Sequence, residues 1–243
     1  MKRALPVFLL VVGILGVGLG GFWLWQSFKK PVKIVEEEKV PQLQFSEKPV
    51  VTLVPLSSCE YSFEVEKIKK GVVQLEYEIT YKNADGVVQG VPGKVDLKGD
   101  TKISRKVLFG TESSGNRRCD KGVSAGKIEL EYRDKEGGIL ASLDLPFKVL
   151  ENIDGIELEE IEVSFDRVVS KAVILRNTGF LGQAPTGVYA SEPYSVFASG
   201  SGKVGVSVVF SKAGNIYGWN GEAWTELPGG KASFLGTYLL VSS

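Results

Sequence analysis

Three groups of residues in this chain have types and spacings that could do chemistry. The first is a set of carboxylate pairs, Glu76 with Glu78 and Glu129 with Glu131. Glycoside hydrolysis needs two such groups about 5–10 Å apart, one as acid and one as nucleophile or base. Each pair here alternates with apolar residues, which turns both acids to the same outward face of a strand. We therefore expect a solvated strand face, and keep a carboxylate-dependent glycoside hydrolase as the alternative. The second group is Cys59 and Cys119, the only two cysteines. The third is Tyr217, Trp219 and Trp224, whose rings could form an aromatic contact surface for sugars or a partner. The competing reading is packing within a hairpin. The acidic stretch 154–166, with Asp154, Glu157, Glu159, Glu160, Glu162 and Asp166, could offer oxygen ligands to calcium. Its spacing matches no calcium loop, so a solvated acidic strand is expected.

The composition removes whole classes of chemistry. The chain has no histidine, which excludes Ser-His-Asp and Cys-His catalysis and histidine-ligated zinc. Two cysteines cannot build a four-cysteine zinc or iron–sulfur site. The 29 basic residues balance 29 acidic ones, and the doublets Lys69-Lys70 and Arg117-Arg118 are too small for a nucleic-acid footprint. Ser199-Gly200-Ser201-Gly202 lacks the Lys-Ser/Thr ending of a phosphate loop. The expectation is a non-enzymatic protein with no metal, no cofactor and no nucleic-acid partner.

The elements that would position these residues are strands. Cys59, Tyr61, Phe63 and Val65 alternate with polar residues, as do Val73, Leu75, Tyr77, Ile79 and Tyr81. This is the pattern of strands with one face on a core and the other in water. Lys94–Leu97, Ile103–Phe109, Lys127–Arg133 and Ile139–Val149 continue it, parted by Gly, Asp and Asn turns. Residues 50–150 are expected to form an Ig-like antiparallel β-sandwich. Residues 151–243 are expected to form a second sandwich that melts separately. In it, Ile156, Leu158, Ile161 and Val163 read as one strand with a bulge at Glu159-Glu160. Ala172–Leu175, Val188–Ala190 and Val204–Phe210 are further candidates. Asn220-Gly221 between two apolar runs marks a hairpin over 216–227, with Gly236–Val241 as the closing strand. The fold class is thus mainly β, with two tandem sandwiches behind an N-terminal helix.

That helix is read from charge. Lys2 and Arg3 precede an uncharged run, Ala4–Phe28, and Lys29, Lys30 and Lys33 follow it. The run exceeds the ~20 apolar residues a membrane-spanning helix needs. A cleaved signal peptide has a shorter core and small residues at its end, whereas this run closes on Phe22, Trp23, Trp25 and Phe28. Residues 1–28 are expected to be an uncleaved anchor in the lipid bilayer. The N-terminus is expected in the cytoplasm and the C-terminal domains outside. Gly16 and Gly20 form a G-x-x-x-G pair through which two helices could pack into a homo-oligomer. Residues 29–49, with Pro31, Pro41 and Pro49, read as a linker or stalk.

One pair of cysteines within the first module is expected to form a disulfide in an oxidising compartment. It would staple a polar loop to a strand end. In the second module, Tyr217-x-Trp219-Asn220-Gly221-x-x-Trp224-x-x-Leu227, followed by Leu235-Gly236-Thr237-Tyr238, resembles the closing hairpin and strand of β-sandwich modules of secreted and cell-surface proteins. The resemblance covers about the last 50 residues and names no specific family. It implies a surface adhesive or structural setting and transfers no catalytic residue. Together these readings give a membrane-anchored extracytoplasmic protein, a structural or adhesion subunit of the cell envelope. It would bind a protein or a surface polymer. An accessory subunit of a membrane complex is the alternative.

Overall fold

From Val50 onward the apolar side chains recur at every second residue, and the chain folds as strand after strand. The computed structural model describes residues 43–183, 185–200 and 204–242. The expected anchor over 1–28, its Gly16–Gly20 face and most of the stalk lie outside those residues. Among the described residues no helix is long and apolar enough to cross a membrane.

The strands are β1 (Val50–Pro55), β2 (Glu60–Glu66), β3 (Gln74–Lys82), β4 (Val88–Asp96), β5 (Ile103–Leu108), β6 (Gly110–Ser113), β7 (Asn116–Cys119), β8 (Ala125–Arg133), β9 (Ile139–Glu157), β10 (Ile161–Arg176), β11 (Tyr194–Ala198), β12 (Val206–Phe210), β13 (Asn215–Trp219), β14 (Trp224–Glu226), β15 (Lys231–Ala232) and β16 (Gly236–Val241). The fold is mainly β, with antiparallel sheets. A small sheet has the order β1-β2-β5. A large one has the order β14-β13-β16-β11-β10-β9-β8-β3-β4, with β12 and β15 branching from β10.

Two apolar cores result. In the first, Val51, Leu53, Tyr61 and Phe63 of the small sheet meet Leu75, Ile79, Ile128, Leu130, Leu143 and Leu145 of the large one. In the second, Ile161, Val163 and Phe165 pack with Val206, Val208, Tyr194, Val196, Tyr238 and Leu240. Successive side chains of a strand point to opposite faces. β10 uses both: Val173 and Leu175 enter the first core, while Ala172 and Ile174 enter the second. This is why Ala172–Leu175 is an unbroken apolar run where other strands alternate.

The expected domain border between 150 and 151 falls inside β9, so the chain passes from one core to the other within a strand. Glu159-Glu160 does not form a bulge. It lies in the turn of a β9–β10 hairpin, where Leu158 N–H donates to Ile161 O at 2.8 Å and Glu157 faces Glu162. A chain reversal shifts the alternation just as a bulge does, so periodicity alone cannot separate them. The real irregularity comes later, where residues 165–168 of β10 lie between the pairs Ser164↔Gly155 and Val169↔Ile153. Before it β10 pairs with β12, and beyond it with β11. Val188–Ala190, expected as a strand, contributes only the isolated bridge Tyr189↔Val241 within a long loop, 177–193.

Candidate functional site

The C-terminal hairpin forms where expected. Tyr217 faces Glu226 and Trp219 faces Trp224 across β13 and β14. Asn220 organises the turn, its side-chain oxygen accepting from the N–H groups of Glu222 at 2.8 Å and Ala223 at 2.9 Å. Gly221 takes φ +102°, which suits glycine. β16 pairs on the other side of β13, Tyr217 against Leu239 and Trp219 against Thr237. Partners directly opposite share a face. Tyr217, Trp219 and Trp224 therefore stand on one face with Thr237 and Leu239. Gly218 faces the other way, into the second core, where a Cβ would come within 2.8 Å of Leu227.

The loop 177–193 lies over the aromatic face. Its Phe180 is buried and meets the Trp224 ring edge-on, centroids 5.5 Å apart at 83°. Tyr189 lies 6.4 Å from Phe180, and Trp219 lies 5.8 Å from Trp224. Gly182 sits against the Trp219 ring, so closely that a Cβ would approach it to 2.9 Å. These rings belong to neither core. They form a satellite cluster under a long loop, in which Tyr189, Trp219 and Trp224 stay half-buried. Lys67 reaches in from the first module, with its Nζ 5.3 Å from the Phe180 centroid. It donates to Phe180 O at 3.2 Å and Ser46 O at 2.7 Å, and burial lowers its pKa. Trp224 Nε1 is buried with no acceptor among the described residues, a cost to the folded state that an apolar ring edge would not incur.

The carboxylate pairs lie elsewhere, on the outer face of the large sheet. Glu76, Glu78, Glu129 and Glu131 line a shallow concavity of about 700 Å³ with Pro92, Lys94, Ser142 and Asp144. Basic side chains thread between the acids. Glu76 pairs with Lys94 at 3.0 Å and Arg133 at 2.7 Å, Glu131 with Arg133 at 2.6 Å, and Glu129 with Lys127 at 2.6 Å. Hydrogen bonds from Lys94 and then Arg133 hold Glu76 below the usual carboxylate range. A general acid for glycoside hydrolysis needs the opposite shift, so that it keeps a proton to deliver. In the acidic stretch 154–166, Glu160 accepts from the Tyr194 hydroxyl at 2.9 Å and pairs with Arg176 at 3.4 Å. Among the described residues no three acidic or sulfur ligands gather as a metal site.

Cys59 and Cys119 form the disulfide, with Cα atoms 5.5 Å apart. It joins the turn before β2 to the end of β7. Under it Phe109 sits between Tyr61 and Tyr81, both 4.3 Å away by centroid, and Tyr81 donates to Asp120 at 2.9 Å. Nearby lies a polar residue that sequence reading missed, Lys171. Only 7% exposed, it pairs with Glu151 at 2.8 Å, donates to the Ser58 carbonyl and lies 5.7 Å from the Tyr61 centroid. The one trace in the sequence is a lysine interrupting an apolar strand. Glu151 faces it from β9, and Ser58 comes from a turn 113 residues away in the chain. No protein-family model matches the sequence, and no curated protein matches it.

Proposed function

We propose that this chain is a membrane-anchored, extracytoplasmic protein built of two fused Ig-like sandwiches, acting as a structural or adhesive subunit of the cell envelope without catalysis. The observation that carries the reading is the cluster of Tyr189, Trp219 and Trp224, packed on Phe180 outside both cores and still half-exposed. Tyr and Trp rings that are part buried and part wet are the residues most enriched at binding surfaces. The uncharged run Ala4–Phe28 supports the anchor, and the disulfide supports an oxidising compartment. The ion-paired acids on the large sheet support a solvated face rather than an acid–base pair.

The occupant of the aromatic face is a carbohydrate polymer of the envelope. The test is a titration of the full chain, in mild detergent, with isolated envelope polysaccharide, read by tryptophan fluorescence. A blue shift that saturates, and that Trp219→Ala weakens at least tenfold, is expected. Equal binding by wild type and variant, or none, overturns the aromatic site. Anchoring is read in parallel by alkaline carbonate extraction of membranes. The intact chain is expected in the pellet, and a shortened soluble protein starting near residue 30 overturns it.

A further inference from the structure

Just before β1 enters the first core, Lys48 donates from Nζ to the side-chain oxygen of Asn177, which follows β10. The two are 129 residues apart in the chain and are held together by the residues that follow each of them. Thr178, fully buried, accepts from Val51 N–H at 2.8 Å and donates to Val51 O at 3.2 Å. Gly179 N–H donates to Pro49 O at 2.7 Å. A Cβ on Gly179 would lie 2.2 Å from the Lys48 carbonyl oxygen, so only glycine permits this approach. The other half of the Asn177 carboxamide is also fixed, Nδ2 donating to Asp144 O at 2.8 Å. An amine and an amide carbon are thus positioned side by side by hydrogen bonds of Thr178 and Gly179, which the two side chains do not themselves supply.

We propose that Lys48 and Asn177 are a self-modification site, where the lysine amine displaces ammonia from the asparagine carboxamide to form an intramolecular isopeptide crosslink. The proposal rests on the fold alone and stands or falls independently of the envelope reading.

The chemistry balances with what is present. Lys48 Nζ loses a proton and attacks Asn177 Cγ. The Nζ–Cγ bond forms as the carbonyl π pair moves to Oδ1. A proton passes from Nζ to Nδ2, the Cγ–Nδ2 bond breaks, and the carbonyl re-forms. Lysine ammonium and asparagine amide become one secondary amide and one ammonium ion, with no oxidant or reductant. Burial lowers the Lys48 pKa, favouring the neutral nucleophile, while the charge of Glu192 acts in the other direction. Glu192 is the carboxylate to carry the proton. Arg176 Nε donates to its Oε2 at 2.9 Å, which holds the group in place. Holding the reactants in register replaces a bimolecular encounter with a unimolecular step, which lets an ordinary amide react. The product would tie the start of the folded body to the end of β10, the strand shared by both cores.

The test is intact-mass spectrometry of the full chain in detergent after disulfide reduction, followed by peptide mapping. The expected result is a chain lighter than its sequence by about 17 Da, one ammonia, with a branched peptide joining Lys48 to Asn177. Lys48→Arg should restore the full sequence mass. A wild-type chain at full mass, with Lys48 and Asn177 in separate peptides, overturns the proposal. A mass loss that persists in Lys48→Arg overturns it too, because it would arise from asparagine cyclising on its own backbone. The branched peptide is read in the wild type, so its presence or absence decides the matter even where the variant does not fold.

Discussion

The two cores are built on the same two strands but secured in different ways. The first has strict alternation, a disulfide at one end and an aromatic stack of Tyr61, Phe109 and Tyr81 beneath it. The second has no covalent staple among the described residues. It bends at the irregularity in β10 and adds a satellite of rings under the loop 177–193. The regular region sets ion-paired polar residues along its outer strand face. The bent one carries half-buried tryptophans between a strand face and a loop. Yet Val173 and Ile174 are neighbours in sequence and lie in different cores. Whatever loosens β10 is expected to loosen both, so we predict a coupled transition in place of the separate melting of tandem modules.

Removing the staple gives the largest effect. The disulfide spans a separation of 60 residues, for which constraint of the unfolded chain contributes about 4 kcal/mol. Cys59→Ser with Cys119→Ser should lower the free energy of chemical unfolding by that amount, for signals from both cores together. A shift confined to the first core, followed by near-UV circular dichroism of Tyr61 and Tyr81 against Trp219 and Trp224 fluorescence, would break the coupling.

That prediction depends on a feature the sequence showed only in part. The unbroken run Ala172–Leu175 marks a strand apolar on both faces. It does not say that the two faces belong to different cores, because that depends on which distant segments cover each face. The hairpin 216–227 was fully legible, since Asn220-Gly221 and the alternation around it are local. The partners of its rings were not, because Phe180 and Tyr189 sit in a loop with no periodicity.

The wall itself can be cut from either side. Leu175→Ala opens the first core and Ile174→Ala the second, and each should cost about 3 kcal/mol. Both residues are essentially buried. Differential scanning calorimetry should show one transition in each variant, displaced to lower temperature as a whole. Two resolved transitions, only one of them moved, would show that β10 is a seam and not a shared wall.

The smallest effect falls on the satellite. A fully buried Trp removes roughly 150–250 Å² from water, but Trp224 is half-buried and its Nε1 is unpartnered among the described residues. Trp224→Ala should therefore cost about 2 kcal/mol, less than a cut in the wall. Urea denaturation measures it. A loss as large as that of Ile174→Ala would place the ring in the second core and remove it from the candidate surface. A loss near zero would leave it free for a ligand.

Taken alone, the sequence determined the β class and the alternating strands, the closing hairpin, the absence of histidine chemistry and the pairing of its two cysteines, because each follows from side-chain type and near-neighbour spacing; it did not determine that Val188–Ala190 stays in a loop or that Glu159-Glu160 is a turn. Periodicity reports which face of a strand is apolar, and a pair of cysteines has one intramolecular partner each. Only the tertiary structure decided that β9 and β10 run unbroken through both cores, that Lys171 is buried against Glu151 and Ser58, and that Lys48 meets Asn177. Those facts depend on which strands become neighbours. Pairing is governed by burial summed over distant segments, which no local window of residues contains.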